Sequence, residues 1–336
     1  MKLSIGIVGM PNVGKSTLFK ILTNIEVNIA NYPFATIDPN IGVVPVPDER
    51  LEKLAKLSNS KKIVPAVVEF YDIAGLVKGA NKGEGLGNQF LSHIQEVNAV
   101  LQVLRVFKGG DIVHVEGGVD PLRDLEIIKT ELILKDLETV TKRFDKAEAD
   151  ARSGKKEFIQ VRDDLKLVKT ELEKGNFLSS NTSLIRANRR IVEELNLLTA
   201  KLQLFLLNGK PEDVSEELGI RIKELGASYI IADLAEEKEI PDLIRKAYEI
   251  LNLISFLTTG EDETRAWTCG VGTKAPQAAG VIHTDFENKF IRAEVINWEK
   301  LLQVGGWNAA KQKGWLRLEG KDYVVEDGDV IVVRHG

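Results

Sequence analysis

The sequence predicts an α/β protein built on a doubly wound parallel sheet, with an inserted helical hairpin and a small mixed domain towards its C-terminal end. Three observations carry this. An apolar run over 3–8 leads into a glycine-containing loop and then a helical stretch over 16–23, the strand, loop and helix of a parallel sheet. Further short apolar runs alternate with helical segments as far as residue 232. Between 124 and 198 the composition turns to Leu, Ile, Lys, Glu and Arg, without proline.

The first run, with Met1 and Lys2 ahead of it, resembles a secretion signal. Its apolar stretch passes straight into the loop that starts at Gly9, so it reads as a buried strand. The second strand is Ile63–Tyr71, entering Asp72-Ile73-Ala74-Gly75; the third is Ala99–Phe107; the fourth is Leu202–Leu207, ending at Asn208; the fifth is Ser228–Ala232. The third and fourth lie roughly a hundred residues apart, far more than a crossover needs. The intervening segment has apolar residues at mixed three and four spacing, as in Ile127, Leu134, Leu137 and Val140. It reads as a helical hairpin, either a short antiparallel coiled coil or an ordinary amphipathic pair, with turns at Gly154 and Gly175-Asn176. Short strands at Lys289–Val295 and Val330–Arg334, with a turn at Asp327-Gly328-Asp329, mark the last domain. The expected domains are 1–123 with 199–256, then 124–198, then 257–336.

A length of 336 residues with 43% hydrophobic and 28% charged residues allows more than one core. A net charge of −5 argues against nonspecific nucleic-acid binding by the whole molecule and leaves room for a local basic face. The single cysteine, Cys269, has no disulfide partner within the chain, which points to a reducing compartment. No apolar run approaches the roughly 18–20 residues that span a bilayer. The expected location is the cytoplasm, with no membrane contact.

Gly9-Met10-Pro11-Asn12-Val13-Gly14-Lys15-Ser16-Thr17 matches G-x-x-x-x-G-K-[ST] in full. Two glycines let the backbone wrap a phosphate chain, Lys15 bridges the β- and γ-phosphates, and the Ser16 hydroxyl ligates Mg²⁺. Asp72-x-x-Gly75 at a strand end supplies a carboxylate for the metal and the Gly75 N–H for the γ-phosphate. Between the two motifs, Thr36 is the threonine expected to close on Mg²⁺. The residue after Gly75 is Leu76, where a water-orienting glutamine stands in Ras-like GTPases, so hydrolysis needs another group. His114, in a glycine-flanked loop after the third strand, is the candidate to position water, against a plain packing role. Asn81-Lys82-Gly83-Glu84 resembles a guanine-reading N-K-x-D but lies on the phosphate side. The base-reading position is Asn208-Gly209-Lys210-Pro211-Glu212. There Pro211 removes the carboxylate that accepts from guanine N1–H, while the neighbouring Glu212 could swing in, so ATP and GTP both stay open.

Taken together, segments 9–17, 31–40, 72–91, 265–287 and 323–330 resemble the YchF/Obg-like ATPase subfamily of the Obg-related translation-factor NTPases. The resemblance implies a Ras-like G domain, an inserted coiled-coil arm and a C-terminal β-grasp domain of the TGS type. It also implies ATP hydrolysis, a hydrophobic residue (Leu76) for the catalytic glutamine, and association with ribosomes and their RNA. The family's adenine motif is N-x-x-E, from which Asn208-x-x-Pro211 departs. Asn12 sits where related NTPases help to hold K⁺ beside the phosphates. His283, Asp285 and Glu287 lack ligand spacing and read as a turn. The Lys/Arg-rich stretch 142–190 interleaves acids, so RNA contact and a solvated face are both open; Trp267, Trp298, Trp307 and Trp315 read as packing residues.

Overall fold

The computed structural model describes residues 4–24, 40–73, 86–107 and 118–336, with 86–90 as backbone only. In the N-terminal part the strands are β1 (Ser4–Val8), β2 (Ile41–Pro45), β3 (Ile63–Val64), β4 (Val67–Asp72) and β5 (Ala99–Arg105). β6 (Leu202–Asn208) and β7 (Ser228–Ala232) come next, then β8 (Leu253–Thr259), β9 (Thr264–Gly270), β10 (Phe290–Asn297), β11 (Arg317–Glu319) and β12 (Asp329–His335). The helices begin with α1 (Lys15–Thr23), α2 (Glu49–Ser58), α3 (Leu86–Glu96), α4 (Pro121–Ala151) and α5 (Lys156–Glu173). They continue with α6 (Thr182–Ala187), α7 (Arg189–Leu195), α8 (Glu216–Glu224), α9 (Pro241–Ile250), α10 (Ala275–Ile282) and α11 (Thr284–Asn288), and end with α12 (Trp298–Val304) and α13 (Trp307–Gln312).

Two compact units result. Among the described residues the first takes in 4–24, 40–42 and those from 69 to 240; the second takes in 43–68 and 241–336. The helical segment 124–198 belongs to the first unit, and residues 43–68 and 241–256 belong to the second.

The first unit is organised by a sheet of order β2-β4-β1-β5-β6-β7, parallel at every junction from β4 to β7. β1 and β5 are buried along their whole length, as strands covered on both faces must be. Leu18 and Leu22 of α1, Leu125, Ile128 and Leu132 of α4, and Leu218 and Ile222 of α8 supply buried apolar faces. Each such side chain contributes on the order of 2 kcal/mol. Asp120 caps α4 by accepting from Arg123 N at 3.0 Å, ahead of Pro121 in the first turn.

The buried stripe of α4 departs from the sequence reading. Leu125, Ile128, Leu132, Asp136, Val140, Ala147 and Ala151 face inward, whereas Leu134 is exposed. α4 and α5 pack against each other along their lengths, with Leu165, Val168 and Leu172 of α5 buried. Their connection turns at Gly154, whose φ is 73°.

The expected strand Ile63–Tyr71 is two strands. It breaks after Val64, at Pro65 and Ala66, and the two pieces join different sheets. Proline has no N–H to donate, so a sheet ladder ends readily there. β3 pairs with β9 in the second unit, whose sheet runs β11-β10-β12-β8-β9-β3. That unit has its own core, centred on Phe256, Phe290, Val295 and Ile331 with the alanines of α10. Cys269 is buried in it, and burial pushes its thiol up to about 11, so it is an inert packing group.

Among the described residues no helix is long and apolar enough to cross a membrane.

Candidate functional site

In a parallel sheet all strands deliver their carboxyl ends to one edge, and ligands bind there. At that edge of the first unit the chain leaves β1 into Gly9–Gly14, β4 ends at Asp72, and β6 ends at Asn208. The register sets their levels. Ile7 pairs with Asp72, so the carboxylate-bearing residue lies beside the start of the loop, and Arg105 pairs with Asn208 two strands away.

The loop's shape requires its glycines. Gly14 has φ 111°, and a Cβ there would stand 2.5 Å from Asn208 Nδ2. A Cβ on Gly9 would meet the Val103 carbonyl oxygen at 2.6 Å. Asn12, with φ 64°, takes the left-handed conformation that asparagine tolerates best among non-glycines. Met10 and Val13 are buried and anchor the loop, while Ser16 and Thr17 are exposed on the first turn of α1. The helix has no side-chain cap at Gly14 and no acidic residue in its first turn. Its first N–H groups and its dipole are therefore available to an anion.

Lys15 is folded back onto this loop, its Nζ donating to Gly9 O at 3.1 Å and to Met10 O at 2.8 Å. Burial lowers its pKa to about 8, with the charge of Asp72 pulling the other way. Burial likewise raises the carboxyl of Asp72, opposed by Lys15. The two groups lie close enough to act on each other's charge, a cation and a carboxylate that phosphate and a hard metal ion would each satisfy. Asp72 N donates to Asn40 O at 2.9 Å, which fastens the strand end.

Asn208 is the knot of the site. Its Nδ2 donates to Val13 O at 2.9 Å, and its Oδ1 accepts from Leu234 N at 3.2 Å. One buried amide thus ties the end of β6, the phosphate loop and the segment after β7. Gly209 continues from it, with its N–H on Ala232 O at 3.1 Å. Beyond it, Lys210 N donates to Asp213 Oδ2 at 3.0 Å and Lys210 Nζ pairs with Glu236 at 3.0 Å. The Asp213 carboxylate is turned back on the chain, and Glu212 is exposed in the short 3-10 turn Pro211–Asp213.

The structure therefore brings together Asn12, Val13, Gly14, Lys15, Ser16, Thr17, Asp72, Asn208 and Gly209. Thr36, Gly75, Leu76 and His114 lie outside the described residues. Leu234 is a site residue that the sequence reading misses. Its signal is the strand ending at Ala232, since the segment after a parallel strand emerges at the same edge. His283 is a cap, its Nδ1 accepting from Asp285 N at 3.2 Å at the start of α11. Among the described residues no group of three or more His, Cys, Asp or Glu converges as a metal site.

Comparison with known proteins places this geometry. Residues 4–143 match a family model described as "50S ribosome-binding GTPase". Over 99% of its length the chain is 44% identical to the Ribosome-binding ATPase YchF of Bacillus subtilis, covering 99% of that protein. The chain belongs to the YchF family. Residues 253–336 of this YchF-family protein match the model YchF-GTPase_C, described as "Protein of unknown function (DUF933)". Obg-like ATPase 1 of Bos taurus is 42% identical, with 98% of this chain and 91% of that one covered. The solved structure of the Schizosaccharomyces pombe YchF GTPase superposes with a TM-score of 0.87 at 39% identity, covering 99% of this chain and 98% of that one. The YchF-family fold here is thus a P-loop NTPase domain with mixed α/β sheets. The relatives' names divide between ATPase and GTPase.

Proposed function

We propose that this YchF-family protein is a Mg²⁺-dependent ATP-hydrolysing switch that associates with ribosomes in the cytoplasm as a regulatory translation factor. The names of its relatives support the ribosomal partner. The observation that carries the nucleotide choice is the loop after Asn208. Pro211 stands where guanine recognition needs a carboxylate, and Asp213 is engaged by Lys210 N. Guanine would leave its N1–H and 2-amino donors unmatched, whereas adenine presents neither.

Ser16 and Asp72, with Thr36 from the segment outside the described residues, are the oxygen donors assigned to the metal. An exposed hydroxyl on the first turn of α1 and a carboxylate at the end of β4, the strand beside β1, fit an ion held by one or two side chains and the phosphates. Bound there, Mg²⁺ would supply positive charge to offset that of the phosphates. Lys15 exchanges its two carbonyl partners for phosphate oxygens, and the α1 N-terminus holds the β-phosphate. Gly75 contributes an N–H to the γ-phosphate and His114 orients water, in place of the glutamine that Leu76 replaces. K⁺ beside Asn12 would add positive charge there; equal rates in Na⁺ and K⁺ would remove that part. In this reading α4–α5 form the inserted arm, and the second unit carries the β-grasp domain of TGS type.

Calorimetry with non-hydrolysable ATP and GTP analogues in Mg²⁺ is the test. ATP is expected to bind on the order of tenfold tighter, the worth of about one hydrogen-bond mismatch. Equal or tighter GTP binding means that Glu212 has supplied the missing acceptor, and the protein is a GTPase.

A further inference from the structure

β6 and β7 are neighbours in the parallel sheet, so the loops after Asn208 and after Ala232 leave it side by side, at the edge that carries the phosphate loop. Two buried hydrogen bonds tie their roots, Leu234 N to Asn208 Oδ1 at 3.2 Å and Gly209 N to Ala232 O at 3.1 Å. A further link lies at the surface. Lys210 Nζ donates to Glu236 Oε1 at 3.0 Å, with the two side chains 47% and 68% exposed.

Carboxylates are plentiful on these two loops, and each has a different fate. Asp213 Oδ2 accepts from Lys210 N at 3.0 Å and Asp233 Oδ1 from Ala235 N at 3.1 Å, so both are turned onto backbone. Glu236 is spent on the Lys210 ammonium. Glu212 makes no hydrogen bond among the described residues, but it stands within the field of the same ammonium. The hydrogen bond and charge of Glu236 raise the Lys210 pKa, and the charges of Asp233 and Glu212 add to that rise. One cation therefore draws acids from both loops.

Guanine presents N1–H and a 2-amino group, a pair of donors that a carboxylate can accept together, whereas adenine N1 is itself an acceptor. Pro211 removes the carboxylate from the reading position, but a long, flexible glutamate one residue on, or one across from it on the next loop, has the same chemistry. Rejecting guanine therefore takes more than the proline. It also requires that the neighbouring carboxylates be held elsewhere, since specificity is a difference between two affinities. A charge-assisted pair with an ammonium does this, because a glutamate that turned to guanine would give up its cation.

We infer that Lys210 is a positioning residue for base preference, which disfavours guanine by holding Glu212 and Glu236 away from it. The inference rests on the nucleotide reading of the site above, and it names the residue that stops nearby acids from replacing the one that Pro211 lacks.

The test is calorimetry on the full chain with Mg²⁺ and non-hydrolysable ATP and GTP analogues. It compares the parent with Lys210→Met, with Lys210→Arg, and with Lys210→Met carrying Glu212→Ala and Glu236→Ala. The quantity read is the Kd for GTP divided by the Kd for ATP. In Lys210→Met this ratio is expected to fall about three- to fivefold, the most that releasing an exposed ion pair allows. Lys210→Arg keeps the cation and should keep the parental ratio, and the triple variant should return to it. Loosened loops alone would weaken both nucleotides alike, so an unchanged ratio in Lys210→Met overturns the inference. A fall that persists after both glutamates are removed does so too, as does a Lys210→Arg variant that shifts the ratio as far as Lys210→Met. The parent's own preference is a separate result. A parent that binds GTP more tightly removes the ATP reading, while the change of ratio on replacing Lys210 still decides this inference.

Discussion

At the scale of single residues, buried polar groups do the joining. Asn208 spends both ends of its amide on backbone, and Lys15 rests on two loop carbonyls that a phosphate can replace. Asp136 plays a similar part in the helical segment, where it accepts from Leu198 N at 2.9 Å, Thr199 N at 2.8 Å and Thr199 Oγ1 at 2.7 Å. Lys201 Nζ, nearby, donates to Gln95 O at 3.0 Å and Val97 O at 2.7 Å, closing the C-terminal end of α3. Burial pushes the Asp136 carboxyl up to about 6 from 3.8, against its hydrogen bonds and the charge of Lys201. A carboxyl raised on folding binds more protons folded than unfolded, so its contribution is largest below about 4 and declines as pH rises to about 6. Asp136→Asn removes the acceptor of two bonds and is expected to cost about 1–3 kcal/mol at pH 7. The gap between parent and variant in urea unfolding should narrow from pH 4.5 to pH 6.5. A gap that does not change with pH would show that Asp136 does not titrate with folding.

At the scale of elements, the chain between 43 and 68 shows how local pattern yields to tertiary partners. α2 starts with an ordinary cap, Asp48 accepting from Arg50 N at 3.0 Å. Arg50 then forks between Asp48 at 2.8 Å and Asp327 at 2.6 Å, and the other oxygen of Asp327 accepts from Ser255 N at 2.9 Å. Ser60 Oγ donates to Gly260 O at 2.6 Å, and Thr264 N to Lys62 O at 2.9 Å. These partners are two hundred residues and more away in sequence, which is why α2 and β3 join the second unit. Arg50→Ala is expected to lower the stability of that unit by about 1–2 kcal/mol, the exposed side of Asp327 limiting the loss. Arg50→Lys should recover only part, since an ammonium cannot make the planar fork. An unchanged urea midpoint for Arg50→Ala would mean that the β3–β9 pairing alone holds the segment.

At the scale of the molecule, the nucleotide's contribution is to one unit. A ligand at about a hundred times its Kd stabilises the form that binds it by about 2.7 kcal/mol. Hydrogen exchange with a Mg²⁺–ATP analogue should therefore slow in β1 and β6, which carry the phosphate loop and Asn208, and stay unchanged in β10 and β12. Equal protection of both sheets would show that the site draws on more than the first unit. The elements of the two units differ in how far the sequence foretells them. The phosphate loop, β1, β5, β6 and β7, the turns at Gly154 and Gly175 and the strands near 290 and 330 are legible, because each depends on residues a few positions apart. β2, β8 and β9 are not, since short strands become strands through their neighbours in a sheet.

The sequence by itself determined that this is a P-loop NTPase. A glycine-bracketed loop with Lys15 and Ser16, after a buried strand and before a helix, suits a phosphate chain, and Asp72 comes at the end of the neighbouring strand. Tertiary structure alone decided which sheet received each half of 63–72, which face of α4 turned inward, and that Asn208 holds the site together through Val13 and Leu234. Those outcomes depend on hydrogen bonds and burial between residues far apart in the chain, and no local pattern encodes a partner two hundred residues away.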